Sequence, residues 1–193
     1  MPVQIGARTH NFSDPTGLLA DCHRRIEMFL GTLMAVAEVI DGPPTEDATR
    51  ALESALRYFS EAAPKHTADE EESLFPRLRQ IHHAEIQAAL LRLEQLEKEH
   101  LWAVPLHAEV ERLGTKYMST GSLSSREVGD FRSAVRDLVA MYKQHIAVED
   151  ECVFPLAARV LSHAEKSEIA AEMAGRRKVR VVADFALGRD RVG

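Results

Sequence analysis

The sequence predicts an all-α protein, an antiparallel up-down-up-down four-helix bundle with a short extra C-terminal helix. Three observations carry that expectation. Long stretches place apolar residues at helical spacing, and no segment alternates as a strand would. Proline, glycine and polar clusters fall between those stretches, at intervals of one long helix. The chain also repeats itself: His66-Thr-Ala-Asp-Glu70-Glu71-Glu72-Ser-Leu-Phe75-Pro76 is echoed by His145-Ile-Ala-Val-Glu149-Asp150-Glu151-Cys-Val-Phe154-Pro155. A lone histidine stands upstream of each motif, His23 before the first and His100 before the second, so the chain reads as two similar helical hairpins.

The elements follow in order. Asp14-Pro15 is a helix start, an N-cap acid followed by proline in the first turn. The stretch from Thr16 to Ile40 carries Leu19, Ile26, Leu30, Leu33, Ala37 and Ile40 on one broad stripe, and Asp41-Gly-Pro-Pro44 stops it. A second helix is expected from Thr45 to about Arg79, kinked by Pro64 just before His66. A third runs from about Ala84 to Met118 with Pro105 inside it, ending in the polar loop Ser119 to Ser125. Ser124 and Glu127 form a capping box for a fourth helix that reaches about Leu161. A second box, Ser162 with Glu165, opens the short fifth helix over roughly His163 to Ala174. The remaining residues, to 193, read as a tail of one single domain whose core spans about residues 14–162.

Composition narrows the function classes. A chain of 193 residues, 45% apolar and 28% charged, with formal net charge −6, is an ordinary globular domain. Its mild acidity argues against nucleic acid. The basic run Arg176-Arg177-Lys178-Val179-Arg180 reads as a solvated tail or a helix C-terminus favoured by the helix dipole. No apolar run is long enough to span a membrane, and Met-Pro-Val-Gln-Ile-Gly opens no secretory signal. Cys22 and Cys152 make no disulfide framework, so a cytoplasmic protein with free thiols is expected.

The spacing His-x-x-x-Glu puts an imidazole and a carboxylate about 40° apart on one helix face, about 6 Å along the axis. The bare tetrapeptide occurs four times, at His23/Glu27, His66/Glu70, His107/Glu111 and His145/Glu149, and by itself says little. The echo says more. Folding the two hairpins about an approximate two-fold axis places His23 and His66 opposite His100 and His145, with Glu70 and Glu149 meeting at the axis. Four imidazoles and two carboxylates in a dry core would repel and lack partners, and a pair of cations removes that cost. Nitrogen and oxygen donors without thiolate argue against structural zinc and against calcium, and suit iron or manganese, with zinc a possible occupant.

These residues resemble the hemerythrin-like family, the His-His-Glu cation-binding domain. The resemblance rests on His23 in Asp-Cys-His23-Arg-Arg-Ile-Glu, the His66 and His145 motifs, and Lys-Glu-His100, and it extends over about residues 14–177. It implies a four-helix bundle with two iron ions, bridged by Glu70, Glu149 and a solvent-derived oxo or hydroxo group. Manganese or zinc would be substitutes. The metal ligands it implies are His23, His66, Glu70, His100, His145 and Glu149. One departure matters: the oxygen carriers of the family have a further histidine where this chain has Val104. The site then has four histidines and open positions, nearer to the bacterial branch linked to nitric oxide, peroxide and iron-centre repair.

Other candidates take plainer readings. Glu27 is read as a surface residue or an acceptor for an imidazole N–H, and His107 with Glu111 as a helix-face pair. His10, His82, His83 and His163 are read as non-ligands. Cys152 is expected as a buried thiol, Tyr58 and Tyr142 as core or supporting residues, and Met28, Met34, Met118 and Met141 as core filler. Two function classes remain. One is a di-iron protein that binds or reacts with a small diatomic ligand or peroxide, served by an unidentified redox partner. The other is a non-catalytic iron-binding module for storage, delivery or sensing.

Overall fold

A computed structural model describes residues 10–81 and 84–179. Its elements are α1 (Pro15–Val39), α2 (Glu46–Glu61), α3 (Ala63–Ala68), α4 (Phe75–Gln80), α5 (Ala84–Thr120), α6 (Ser125–Val148), α7 (Phe154–Val160) and α8 (His163–Arg176). Two π-helical turns, π1 (Asp69–Leu74) and π2 (Glu149–Val153), join α3 to α4 and α6 to α7. No strand occurs among the described residues. Among the described residues, no helix is long and apolar enough to cross a membrane.

Local chemistry sets the ends. Asp14 caps α1 by accepting from the Gly17 N–H, and Thr45 caps α2 by accepting from the Ala48 N–H. The Ser124–Glu127 and Ser162–Glu165 capping boxes are both formed, at the starts of α6 and α8. The stripe of α1 from Leu19 to Ile40 is buried at each of the six positions named above. The α1–α2 turn meets the far end of α5, where the Tyr117 hydroxyl donates to the Gly42 carbonyl. The start of α6 lies there too, with Arg132 donating to the Ala37 carbonyl. Neighbouring rods therefore run in opposite directions, and the bundle is the expected helical one.

The second rod breaks at Pro64, where a kink was expected, and both the second and fourth rods also contain a turn that was not expected. α2 ends before Pro64, and α3 restarts at Ala63, as the missing proline N–H requires. Further on, both rods widen into a π turn at the same place in the echo. The Phe75 N–H reaches back five residues to Glu70, and the Phe154 N–H reaches back five to Glu149. The reason lies in the Phe-Pro pair ending each motif. Pro76 and Pro155 cannot donate to the carbonyl four residues earlier and clash with it, and a π turn relieves both.

The core is in two parts. One cluster gathers Ile26, Leu30, Leu33, Leu52, Phe131 and Leu138 toward the α1–α2 turn, with Met34, Met118 and Met141 packed on it. The other gathers Leu18, Leu19, Phe75, Leu96, Phe154 and Met173 where α8 closes the opposite end. Between them lies a polar layer of buried histidines and carboxylates.

The end of α8 bears out the helix C-terminus reading of the basic run rather than the solvated tail. Arg176 donates to Asp69 Oδ1 at 3.0 Å, to Ser73 and to Glu72, and Arg177 pairs with the other oxygen of Asp69. Asp69 is fully buried, so the two guanidinium groups complete its charge and fasten α8 onto π1. Lys178 and Val179 follow, and the remainder of the expected tail lies outside the described residues.

Candidate metal centre

Six elements bring one polar group each to the layer. His23 comes from α1, His66 from α3, Glu70 from π1, His100 from α5, His145 from α6 and Glu149 from π2. His23, Glu70 and Glu149 have no exposed surface. The ring nitrogens Nε2 point inward. That of His23 is 3.1 Å from Glu149 Oε2 and 3.9 Å from Glu70 Oε1, and that of His66 is 3.2 Å from Glu70 Oε1. On the other side, Nε2 of His100 is 3.6 Å from Glu70 Oε2, and Nε2 of His145 is 3.2 Å from Glu149 Oε2. The six residues form two overlapping tetrads. One is His23, His66, Glu70 and Glu149, the other Glu70, His100, His145 and Glu149, each with its ligand atoms within 4.8 Å of one another. Each hairpin supplies both histidines of one tetrad, and both carboxylates belong to both.

The outward nitrogens are held by acids. Nδ1 of His23 donates to Asp150 (2.7 Å), Nδ1 of His100 to Glu71 (2.7 Å), and Nδ1 of His145 to Glu99 (2.9 Å). Asp150 and Glu71 are the same position of the echo, directly after the shared glutamate. Each crosses to the lone histidine of the other hairpin. Sequence reasoning did not use them, although the repeated pattern Glu-acid-Glu was the signal. The structure puts Glu27, considered there as an imidazole acceptor, on the surface beside Arg24 at 3.2 Å. Asp150 takes that part, and Arg24 pairs with it.

With Nδ1 protonated, these imidazoles turn lone pairs inward. His100 and His145 bring their Nε2 atoms 3.1 Å apart. Nε2 of His23 and all four carboxylate oxygens of Glu70 and Glu149 are buried without a hydrogen-bond partner among the described residues. Burial and the neighbouring charge of Glu149 push the Glu70 carboxyl well above its usual range. Burial acts on Glu149 too, but the imidazoles of His145 and His23 facing it outweigh burial and hold the carboxyl low. Burial and the other imidazoles keep His66 and His100 neutral. Converging lone pairs and unpartnered carboxylate oxygens are what cations would satisfy, so the residues fit a metal pair.

The model of the hemerythrin HHE cation-binding domain matches residues 14–157. The chain belongs to the hemerythrin HHE family. It is also similar to an uncharacterized protein of Haemophilus influenzae, 26% identical over 170 residues that cover 88% of this chain and 93% of that one. As a hemerythrin HHE protein with two buried His/Glu tetrads, it has the make-up of a metal-binding protein. The matched region ends before α8, so the arginine clasp on Asp69 lies outside the part the family model describes.

Several other residues flank the centre of this HHE domain. A groove of about 480 Å³ opens between α3 and α5, past Phe59, Val104 and His107. It shares Ala63, Thr67, His100 and Tyr142 with the narrow cleft beside the four histidines. Val104 is exposed at its lip. His107 corrects the reading as a plain helix-face pair with Glu111. It turns inward, bonds the Tyr142 hydroxyl at 3.0 Å and lies against the Phe59 ring. Tyr58 stacks on Phe29 and is a packing residue. Cys152 is half-buried rather than buried, and Cys22 is buried. Neither His10 nor His163 enters a tetrad, and His82 and His83 lie outside the described residues.

Burial lowers His107 to about 4. The unfolded chain takes up that proton near pH 6.5, so the contribution of neutral His107 is complete above that value and is lost as the pH falls toward 4. In chelator-treated protein, wild type should therefore lose up to about 3 kcal/mol more than His107→Gln between those limits. Urea unfolding of both forms at several pH values measures the difference; parallel pH curves would refute it.

Proposed function

We propose that this protein holds a pair of iron ions between the two tetrads and uses them to bind or react with a small ligand, O2, nitric oxide or peroxide. The carrying observation is the shared position of the buried Glu70 and Glu149 between two histidine pairs. Bound iron supplies reversible redox change and open positions for the ligand. His23 and His66 would hold one ion and His100 and His145 the other, with both carboxylates reaching both. Asp150, Glu71 and Glu99 keep three of the rings oriented and their Nε2 atoms free for the metal. The groove past Phe59 and Val104 is an entrance for small molecules, and Tyr142 lines both it and the cleft beside the histidines.

A storage or delivery module would have to surrender its ions readily. Three ligands without exposed surface and three rings held by carboxylates oppose that. Metal analysis and an optical spectrum of freshly purified protein test the reading. About two metal ions per chain, mostly iron, are expected, with a near-ultraviolet band that shifts on adding azide. The reduced protein should consume O2, peroxide or nitric oxide while keeping its metal. Stoichiometric zinc without iron, after growth in iron-rich medium, would overturn it. Rapid loss of iron to a chelator without such reactivity would favour the storage reading.

A further inference from the structure

The two hairpins match in their ligands but not in what stands behind them. Three of the four imidazoles have an acid on Nδ1: His23 has Asp150, His100 has Glu71 and His145 has Glu99. The fourth is different. Nδ1 of His66 is buried and has no hydrogen-bond partner among the described residues. The repeat explains the gap. Glu99 directly precedes His100, and the residue directly preceding His23 is Cys22. Where the second hairpin sends a carboxylate to its motif histidine, the first has a thiol, and that thiol accepts from Arg25 at 3.0 Å.

A neutral imidazole that gives Nε2 to a metal must carry its proton on Nδ1. For His145 that proton is bonded to Glu99, which fixes the ring and makes Nε2 a better donor. For His66 the same proton is buried without an acceptor, a cost that ion binding must overcome. Charge points the same way. Asp150, behind His23, shares its carboxylate with Arg24, whereas Glu71 and Glu99 both stand behind the second pair.

We propose that the two half-sites are unequal: the ion held by His100 and His145 is bound more tightly than the ion held by His23 and His66, and Glu99 is the positioning residue that makes it so. This rests on the two-ion reading above. The chain then fills and empties in order, passing through a one-ion state with the second pair loaded.

The test is metal release from full-length protein loaded with zinc, followed by a chromogenic chelator. The total released measures the two-ion reading, and the time course measures the inequality. Wild type should release zinc in two phases of equal amplitude, with rates about tenfold or more apart. Glu99→Gln keeps the shape of a partly exposed side chain and should accelerate the slow phase about tenfold, leaving the fast phase unchanged. Asp150→Asn should accelerate the fast phase instead. Glu99→Asp should restore part of the slow phase. In nitrogen-labelled, zinc-loaded protein, Glu99→Gln should also move the His145 Nδ1–H resonance, a shift that general loosening would not confine to one ring. Two zinc ions released at a single rate would overturn the inequality while leaving the two-ion reading standing. So would equal acceleration of both phases by Glu99→Gln. Fewer than two ions released per chain would overturn the two-ion reading and this proposal with it.

Discussion

Glu70→Ala and Glu149→Ala are each expected to strip both ions from the protein. Each carboxylate belongs to both tetrads. Glu149 Oε2 lies within 3.2 Å of a histidine from each hairpin, His23 and His145. Glu70 faces His66 with one oxygen and His100 with the other. Removing either one takes a ligand from both ions and leaves the remaining carboxylate as the one anionic ligand for two multivalent cations. Metal per chain should fall by at least about tenfold, more than the loss of a merely supporting residue causes. Glu27→Ala, His107→Ala and Cys152→Ser should leave the content near that of wild type. Glu27 is on the surface with Arg24, His107 bonds Tyr142, and Cys152 joins neither tetrad. Elemental analysis of the five purified variants decides the matter. An empty site in Glu27→Ala or His107→Ala, with a full one in Glu70→Ala, would refute shared carboxylates.

What the sequence made legible was the local part of the fold. Capping side chains act within three residues, so Asp14, Thr45, Ser124 and Ser162 announce their helices. Apolar periodicity marks a buried stripe before the partner helix is known, as the six buried positions of α1 illustrate. That these six residues come together was legible for another reason: equivalent positions of a repeat take equivalent places in two hairpins, and here they meet in two tetrads. The π turns were hidden, because Phe-Pro looks like a kink until the hydrogen bonds are counted back to Glu70 and Glu149. Glu99 and the Arg176–Arg177 clasp were hidden because their partners, His145 and Asp69, lie 46 and more than 100 residues away. No local rule links a charged side chain to a partner that only packing brings near. The acid pair Asp150 and Glu71 stands between these cases. Its position in the echo was visible, but the crossing to the opposite hairpin was not.

Removing the metal is expected to lower the melting temperature by about 8–16 °C. Without ions, the layer between the two apolar clusters holds four imidazoles and two carboxylates with too few protons to pair them. Glu70 must take one against its ordinary tendency, because burial and the charge of Glu149 leave no other arrangement. The facing Nε2 atoms of His100 and His145 require another. Cations bound to the folded state alone remove these costs. At free metal about a thousandfold above the dissociation constant the gain is about 4 kcal/mol. In a chain of this length each kcal/mol moves the midpoint by about 2–4 °C. Calorimetry of loaded and chelator-treated protein at neutral pH measures the shift. The direction with pH is fixed by the same groups. The ligands bind metal with imidazoles neutral and carboxylates ionised, so protons compete, and the advantage of the loaded form is present at neutral pH and shrinks as the pH falls. Equal midpoints for the two forms at neutral pH would contradict a metal site in the core. A gap that widens toward acid would contradict the ligand set, because no arrangement of these histidines and carboxylates gains affinity by taking up protons.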